Sequence, residues 1–194
     1  KSQVVEFDGT PILFVPWICD DNREHSMQML DSAQAEIVMG HLEIKGIEMQ
    51  NGVINEYGNE KADFSRFERV ISGHFHKHTD DGQIYYCGAQ YEMTWSDYKD
   101  PKAFHIFDTE TREITKVSNP NTIHKKIIYD DKKNNYDIFD IQPYNNHFIK
   151  LIVLNKTNDL VFDKFVERLY NEITVHDLNI IEDYSDIKAS VRDD

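Results

Sequence analysis

Residues 4–17, VVEFDGTPILFVPW, hold two β-branched and aromatic runs on either side of Asp8-Gly9, the strongest short signal for a hairpin. Pro16 closes the second strand. Helix formers fill residues 20–35, with Asp20 and Asp21 at the end where the helix dipole favours anions. The run EIVMGH (36–41) predicts a short buried strand ending in Gly-His. Residues 42–62 contain Gly46, Gly52 and Gly58 and follow no period. That pattern predicts a long loop, which in a compact domain usually carries function or mobility. Residues 62–69 fit one or two helical turns, and RVISGH (69–74) is a second short apolar strand ending in Gly-His. Helix alternating with short apolar strand predicts α/β layering.

Beyond this point the pattern changes. GQIYYCGA (82–89), KAFHIFDTET (102–111) and REITKVS (112–118) read as strands, the last two joined by a turn around Asp108–Thr111. Together they predict an antiparallel stretch against the same core. Asn119-Pro120 is turn chemistry and marks a boundary, dividing the chain into residues 1–118 and 119–194. In the second part HFIKLIVLN (147–155) is a strand. Leu160, Phe162, Phe165, Val166, Leu169 and Ile173 then make an apolar face at helical spacing over 159–173, and DLNIIEDYS (177–185) is a strand again. This is a βαβ unit, with the Asp-, Lys- and Asn-rich stretch 130–140 as a polar linker before it.

With 194 residues and 40% hydrophobic content, the chain is long and apolar enough to pack a core. No apolar run approaches the roughly 18 residues of a membrane helix. Cys19 and Cys87 form no CxxC pair and read as small buried hydrophobes of a reducing compartment, which points to the cytoplasm. The formal net charge is −14. Residues 1–118 carry 11 Lys and Arg against 21 Asp and Glu, and residues 119–194 carry 10 against 14. Such a field repels nucleic-acid phosphate and anionic membrane, so a phosphate-handling site here needs local compensation, most simply by divalent cations.

The histidines supply a place for such cations. His74 and His76 follow a short strand at a spacing that, in extended chain, turns both rings to one side. His41 ends an equivalent strand 33 residues earlier. Two neighbouring parallel strands each ending in Gly-His would deliver three imidazoles to the carboxyl edge of a sheet, where α/β folds carry their sites. Neutral imidazoles are good ligands for divalent metals, and Gly73 allows close approach of backbone to metal or phosphate. His41, His74 and His76 are therefore the candidate metal ligands. His78 reads as solvated, and His25, His105, His124, His147 and His176 lack comparable context. Tyr85, Tyr86, Trp17 and Trp95 read as packing.

The segments VPWICDDN, VMGHLEIKG, VISGHFHKH, IYYCGAQYEMTW and DPKAFHIFDTET occur in this order over residues 4 to about 124. They resemble the later part of the calcineurin-like metallophosphoesterases, and within them the SbcD-type DNA-repair exonuclease subunits, T4-like phage recombination nuclease subunits most of all. The resemblance implies a fold made of the second half of a metallophosphoesterase α/β sandwich plus a small α+β cap, the βαβ unit. It implies a two-metal site, usually manganese, with His41 and His74 on one metal and His76 on the other. It also implies DNA phosphodiester hydrolysis in recombination and repair, and an SbcC-type SMC-like ATPase as partner. That family's opening D-x-H, G-D and G-N-H-D/E motifs have no counterpart here; Gly58-Asn59-Glu60 lies on the wrong side of His41. The acidic ligands are accordingly expected upstream of Lys1. The polypeptide alone is expected to be inactive, and to hide uncovered apolar surface by pairing with a second copy or other material. Two rivals stay open on the residues alone: another phosphoesterase, such as a phosphatase or phosphodiesterase, and a non-catalytic subunit that binds a partner.

Overall fold

A computed structural model describes residues 1–50 and 52–182. The chain divides into two compact units, Lys1–Pro120 and a second beginning at Asn121. The fold is mixed α/β, with several sheets and few helices.

The first unit opens with β1 (Gln3–Phe7) and β2 (Thr10–Val15), an antiparallel hairpin in which Phe7 pairs with Thr10. Asp8 and Gly9, at φ 48° and 81°, make the tight turn whose twist suits such a pair. Helix α1 (Arg23–Ser32) follows, shorter than its sequence pattern predicts. Its last carbonyls are met from a distant loop: the Arg66 guanidinium donates to Leu30 O at 2.5 Å and to Ala33 O at 2.8 Å, which stops the helix without a basic residue of its own.

Strand β3 (Ile37–Gly40) lies parallel to β2. The long glycine-bearing segment after it is more ordered than its composition predicts. It folds into a small hairpin, β4 (Glu48–Gln50) with β5 (Val53–Ile54), and its Leu42, Ile44 and Ile47 are buried. Asn59 fastens the base of this loop. Its N–H donates to Glu43 O at 2.9 Å, and its own carbonyl accepts from Lys45 N–H at 2.9 Å. Then come β6 (Arg69–Ser72), β7 (Thr79–Asp80) and β8 (Ile84–Tyr86), completing a six-stranded sheet in the order β1-β2-β3-β6-β8-β7.

Strand β8 follows its antiparallel sequence reading only in part. It pairs antiparallel to the two-residue β7 on one side but parallel to β6 on the other. All three of its residues are buried, the pattern of a strand covered on both faces, and that pattern belongs with parallel sheets. A further antiparallel pair, β9 (Ala103–Phe107) with β10 (Ile114–Ser118), forms a separate two-stranded sheet. His105 ties it to β8. The ring Nε2–H donates to Cys87 O at 2.9 Å, so Nδ1 accepts from the Tyr85 hydroxyl at 2.6 Å. His78 is likewise held rather than solvated, its Nδ1 2.7 Å from Tyr86 O. Tyr85 and Tyr86 are buried in packing, whereas Trp17 is exposed. Cys19 and Cys87 are free, half-buried thiols.

The second unit is a three-stranded parallel sheet, β11 (His124–Asp130), β12 (His147–Asn155) and β13 (Val175–Ile181), with helix α2 (Asp159–Glu172) between the last two strands. Strand β11 extends the βαβ unit by one strand that the boundary reading did not anticipate. Residues 183–185 of the expected last strand lie outside the described residues. Asn158 caps α2, its side-chain oxygen accepting from the N–H groups of Leu160 and Val161. Phe162, Phe165 and Leu169 are buried, but Leu160 is 63% exposed and turns away from the core. The polar stretch 130–140 nevertheless reaches the core. Its Tyr136 stacks on Tyr129 at 4.1 Å between ring centres, and Ile141, just beyond it, is buried in the same cluster. No helix among the described residues is long and apolar enough to cross a membrane.

Candidate metal centre

The carboxyl ends of β3 and β6 are bound together by their side chains. Ser72, the last residue of β6, accepts a hydrogen bond from Leu42 N–H at 2.9 Å through its buried hydroxyl oxygen. The Tyr86 hydroxyl, from β8, donates to Leu42 O at 2.7 Å and accepts from Ile44 N–H at 3.2 Å. Burial pushes that phenol well above its ordinary value, so it remains a donor at any physiological pH. These bonds fix the backbone on which His41 stands.

Gly40 is required by contact: a Cβ there would lie 2.4 Å from Val15 O, the backbone carbonyl that accepts the His41 N–H at 3.3 Å. A Cβ on Gly73 would lie 3.3 Å from Nδ1 of His41, a tight contact that a small shift of the ring would relieve. His41 Nε2 and His74 Nδ1 are 3.1 Å apart, with the rings edge to face at 5.0 Å. His41 titrates below the ordinary histidine value, first because it is partly desolvated and then because a charge on His74 would repel its own. A neutral ring is the form that binds metal.

The extended-chain expectation for His74 and His76 is not what the backbone does. His74 has φ 85°, a left-handed conformation rare for a residue with a side chain. The chain bends there, and each ring finds its own partner. His74 meets His41, while His76 Nδ1 lies 3.2 Å from both carboxylate oxygens of Asp97. His74 and His76 nevertheless line one cleft of about 290 Å³, shared with Phe75, Glu43, Asn55, Thr94 and Ser96.

Asp97 went unassigned in the sequence, though Thr94-x-x-Asp97 is a capping-box pattern that flags a carboxylate turned back on its own backbone. Its carboxylate accepts from the N–H groups of Met93 and Thr94, both at 2.9 Å, and from Lys102 Nζ at 2.9 Å. Burial alone would raise this acid. The Lys102 ammonium and the backbone donors outweigh it and hold the group at about 2. Lys102, only 4% exposed, spends its three donors on Asp97, on Asp100 at 2.7 Å and on His76 O at 3.1 Å. Nothing in the local sequence signals a buried lysine at that position.

The His41–His74 separation is compatible with one shared metal, as it is with a hydrogen bond between the two rings. Two nitrogens bound to one cation at about 2.1 Å each, at angles between a right angle and the tetrahedral, stand roughly 3.0–3.4 Å apart. The observed 3.1 Å falls in that interval. Among the described residues no group of three or more His, Cys, Asp or Glu side chains is arranged to hold a metal ion. What they provide is one imidazole pair and, on the cleft that His74 lines, a third imidazole anchored by a carboxylate.

No family model matches the chain. Over all 194 residues it is 30% identical to Exonuclease subunit 1 of Enterobacteria phage T4, and the match covers 54% of that protein. The chain thus spans about half the length of the curated relative it matches, and is similar along its whole length to a phage exonuclease subunit.

Proposed function

We propose that this chain is part of a DNA nuclease subunit of the calcineurin-like metallophosphoesterase class, SbcD branch, acting in recombination and repair. The observation that carries the reading is the pairing of His41 and His74 at 3.1 Å across the ends of two parallel strands, beside a cleft that also receives His76. Similarity to a phage exonuclease subunit over the whole chain supports it.

In this reading His41 and His74 hold one divalent cation, manganese in the family it resembles, and His76 holds a second. Such cations supply positive charge that activates water and neutralises phosphate oxygens. That charge answers the electrostatic problem of the chain, whose net −14 would otherwise repel DNA. The protein's own contribution is rigidity. Ser72, Tyr86 and Gly40 fix the backbone that carries His41, and partial burial favours the neutral form of its ring. Acidic ligands from outside these 194 residues complete the site. The unit beginning at Asn121 serves as a cap beside the DNA, and an SbcC-type ATPase is the partner. The name of the T4 relative describes one subunit of an assembly. The place of action in this reading is the cytoplasm, that of the host if the chain is phage-encoded.

The test compares manganese-dependent cleavage of duplex DNA by the parent open reading frame and by its His74→Ala variant. The variant should lose most of the cleavage while keeping the wild-type circular dichroism spectrum and a cooperative unfolding transition. Cleavage unchanged by His74→Ala would overturn the proposal.

A further inference from the structure

The charged cluster behind His76 carries more organisation than a loop contact requires. His76 is held at two points by one buried pair. Its ring Nδ1 faces both oxygens of Asp97, and its main-chain carbonyl accepts from Lys102, which itself donates to Asp97. Asp97 and Lys102 side chains are each 3% exposed, while the His76 side chain is 37% exposed toward the cleft. A carboxylate only accepts hydrogen bonds, so the nitrogen facing it carries the proton. The opposite nitrogen, Nε2, is then left with its lone pair.

We propose that Asp97 and Lys102 are positioning residues for His76, holding its ring as the Nδ1–H tautomer so that Nε2 is presented to the cleft as a ligand atom. The purpose rests on the metal reading above; the tautomer itself does not. A carboxylate behind a metal-binding imidazole fixes ring orientation and tautomer together, and losing it typically costs about 10–100-fold in metal affinity. Lys102 keeps the arrangement unique. With its three donors spent on Asp97, Asp100 and the His76 carbonyl, the carboxylate cannot turn away without breaking the lysine's own bonds.

The experiment reads ring protonation directly, by long-range ¹H–¹⁵N correlation on the chelator-treated 194-residue chain at about pH 8, where imidazoles are neutral. His76 is identified by the loss of its signals in His76→Gln. The wild type should show Nδ1 protonated and Nε2 bare. In Asp97→Asn the amide can turn its N–H toward the ring, so the Nε2–H form should rise and Mn²⁺ affinity should fall about 10–100-fold. A wild-type ring protonated on Nε2 overturns the proposal even if the variant does not fold. So does a folded Asp97→Asn protein with unchanged tautomer and unchanged Mn²⁺ affinity, which is what a loop-pinning carboxylate would give. Titrating Mn²⁺ into the parent open reading frame, with its histidines assigned in the same way, separates the two readings. Paramagnetic broadening at His41, His74 and His76 supports both. Its absence from a ring that is correctly Nδ1–H overturns the metal reading and the purpose assigned to the tautomer.

Discussion

His74 holds a left-handed backbone at φ 85° with its ring 3.1 Å from His41. Such a conformation costs on the order of 1–3 kcal/mol for a residue with a side chain, and strain of this kind collects at functional sites. His74→Gly should therefore unfold at no lower urea concentration than the wild type, although the imidazole pair is gone. His74→Val, β-branched and least suited to this backbone, should cost about 1–3 kcal/mol. If the two variants unfold alike, the strain is not real. Lys102 makes a second residue-scale claim. Lys102→Met leaves Asp97 and Asp100 without their cation, and breaking a buried pair from one side costs about 3–5 kcal/mol. Urea unfolding at neutral pH should show that loss; a cost below about 1 kcal/mol would mean that water reaches the cluster.

At the scale of elements, helix α2 separates what spacing reveals from what it hides. Phe165 and Leu169 are buried, so replacing either by Ala should cost about 2–5 kcal/mol. Leu160 counted toward the same apolar face in the sequence, yet it is mostly exposed, and Leu160→Ala should stay within about 0.5 kcal/mol. The turn from β7 to β8 carries a pH dependence. Burial alone would raise the Asp81 carboxyl, but Lys61 and the N–H groups of Ile84 and Gln83 more than offset that and draw it below the usual 3.8. A folded-state value below the unfolded one adds stability that is present above the unfolded value and is lost as pH falls through the depressed one. Denaturation between about pH 5 and pH 2 should thus be shallower in Asp81→Asn than in the wild type. Identical acid profiles would remove Asp81 from the account.

The hairpin, both Gly-His strands and the βαβ unit were legible because their patterns are local: period two, period 3.6 and turn residues. Strand β11 was hidden because its lysines and its boundary position masked an apolar alternation completed only by β12. The partnering of β8 with β6 was hidden because a three-residue apolar run carries no direction. At the site, Gly-His spacing pointed to His41 and His74. The bend at His74 answers a ring 33 residues away, and the Asp97 carboxylate serves a histidine 21 residues away, separations that no local window of the sequence spans.

For the whole molecule, the governing facts are a net charge of −14 and an imidazole pair without a third ligand among the described residues. Two cations close together repel, and a shared carboxylate offsets that repulsion. The 194-residue chain supplied with manganese and duplex DNA should therefore release no cleavage products. Robust cleavage by the chain alone, abolished in His74→Ala, would place the full ligand set within these residues. The central claim, that His41 and His74 are a metal-binding pair, is tested most directly by crystals of the chain soaked in Mn²⁺ and measured at the manganese absorption edge. The account predicts an anomalous peak within about 2.0–2.3 Å of His41 Nε2 and His74 Nδ1, lost in His74→Ala. An anomalous map with no peak between those two nitrogens would contradict it.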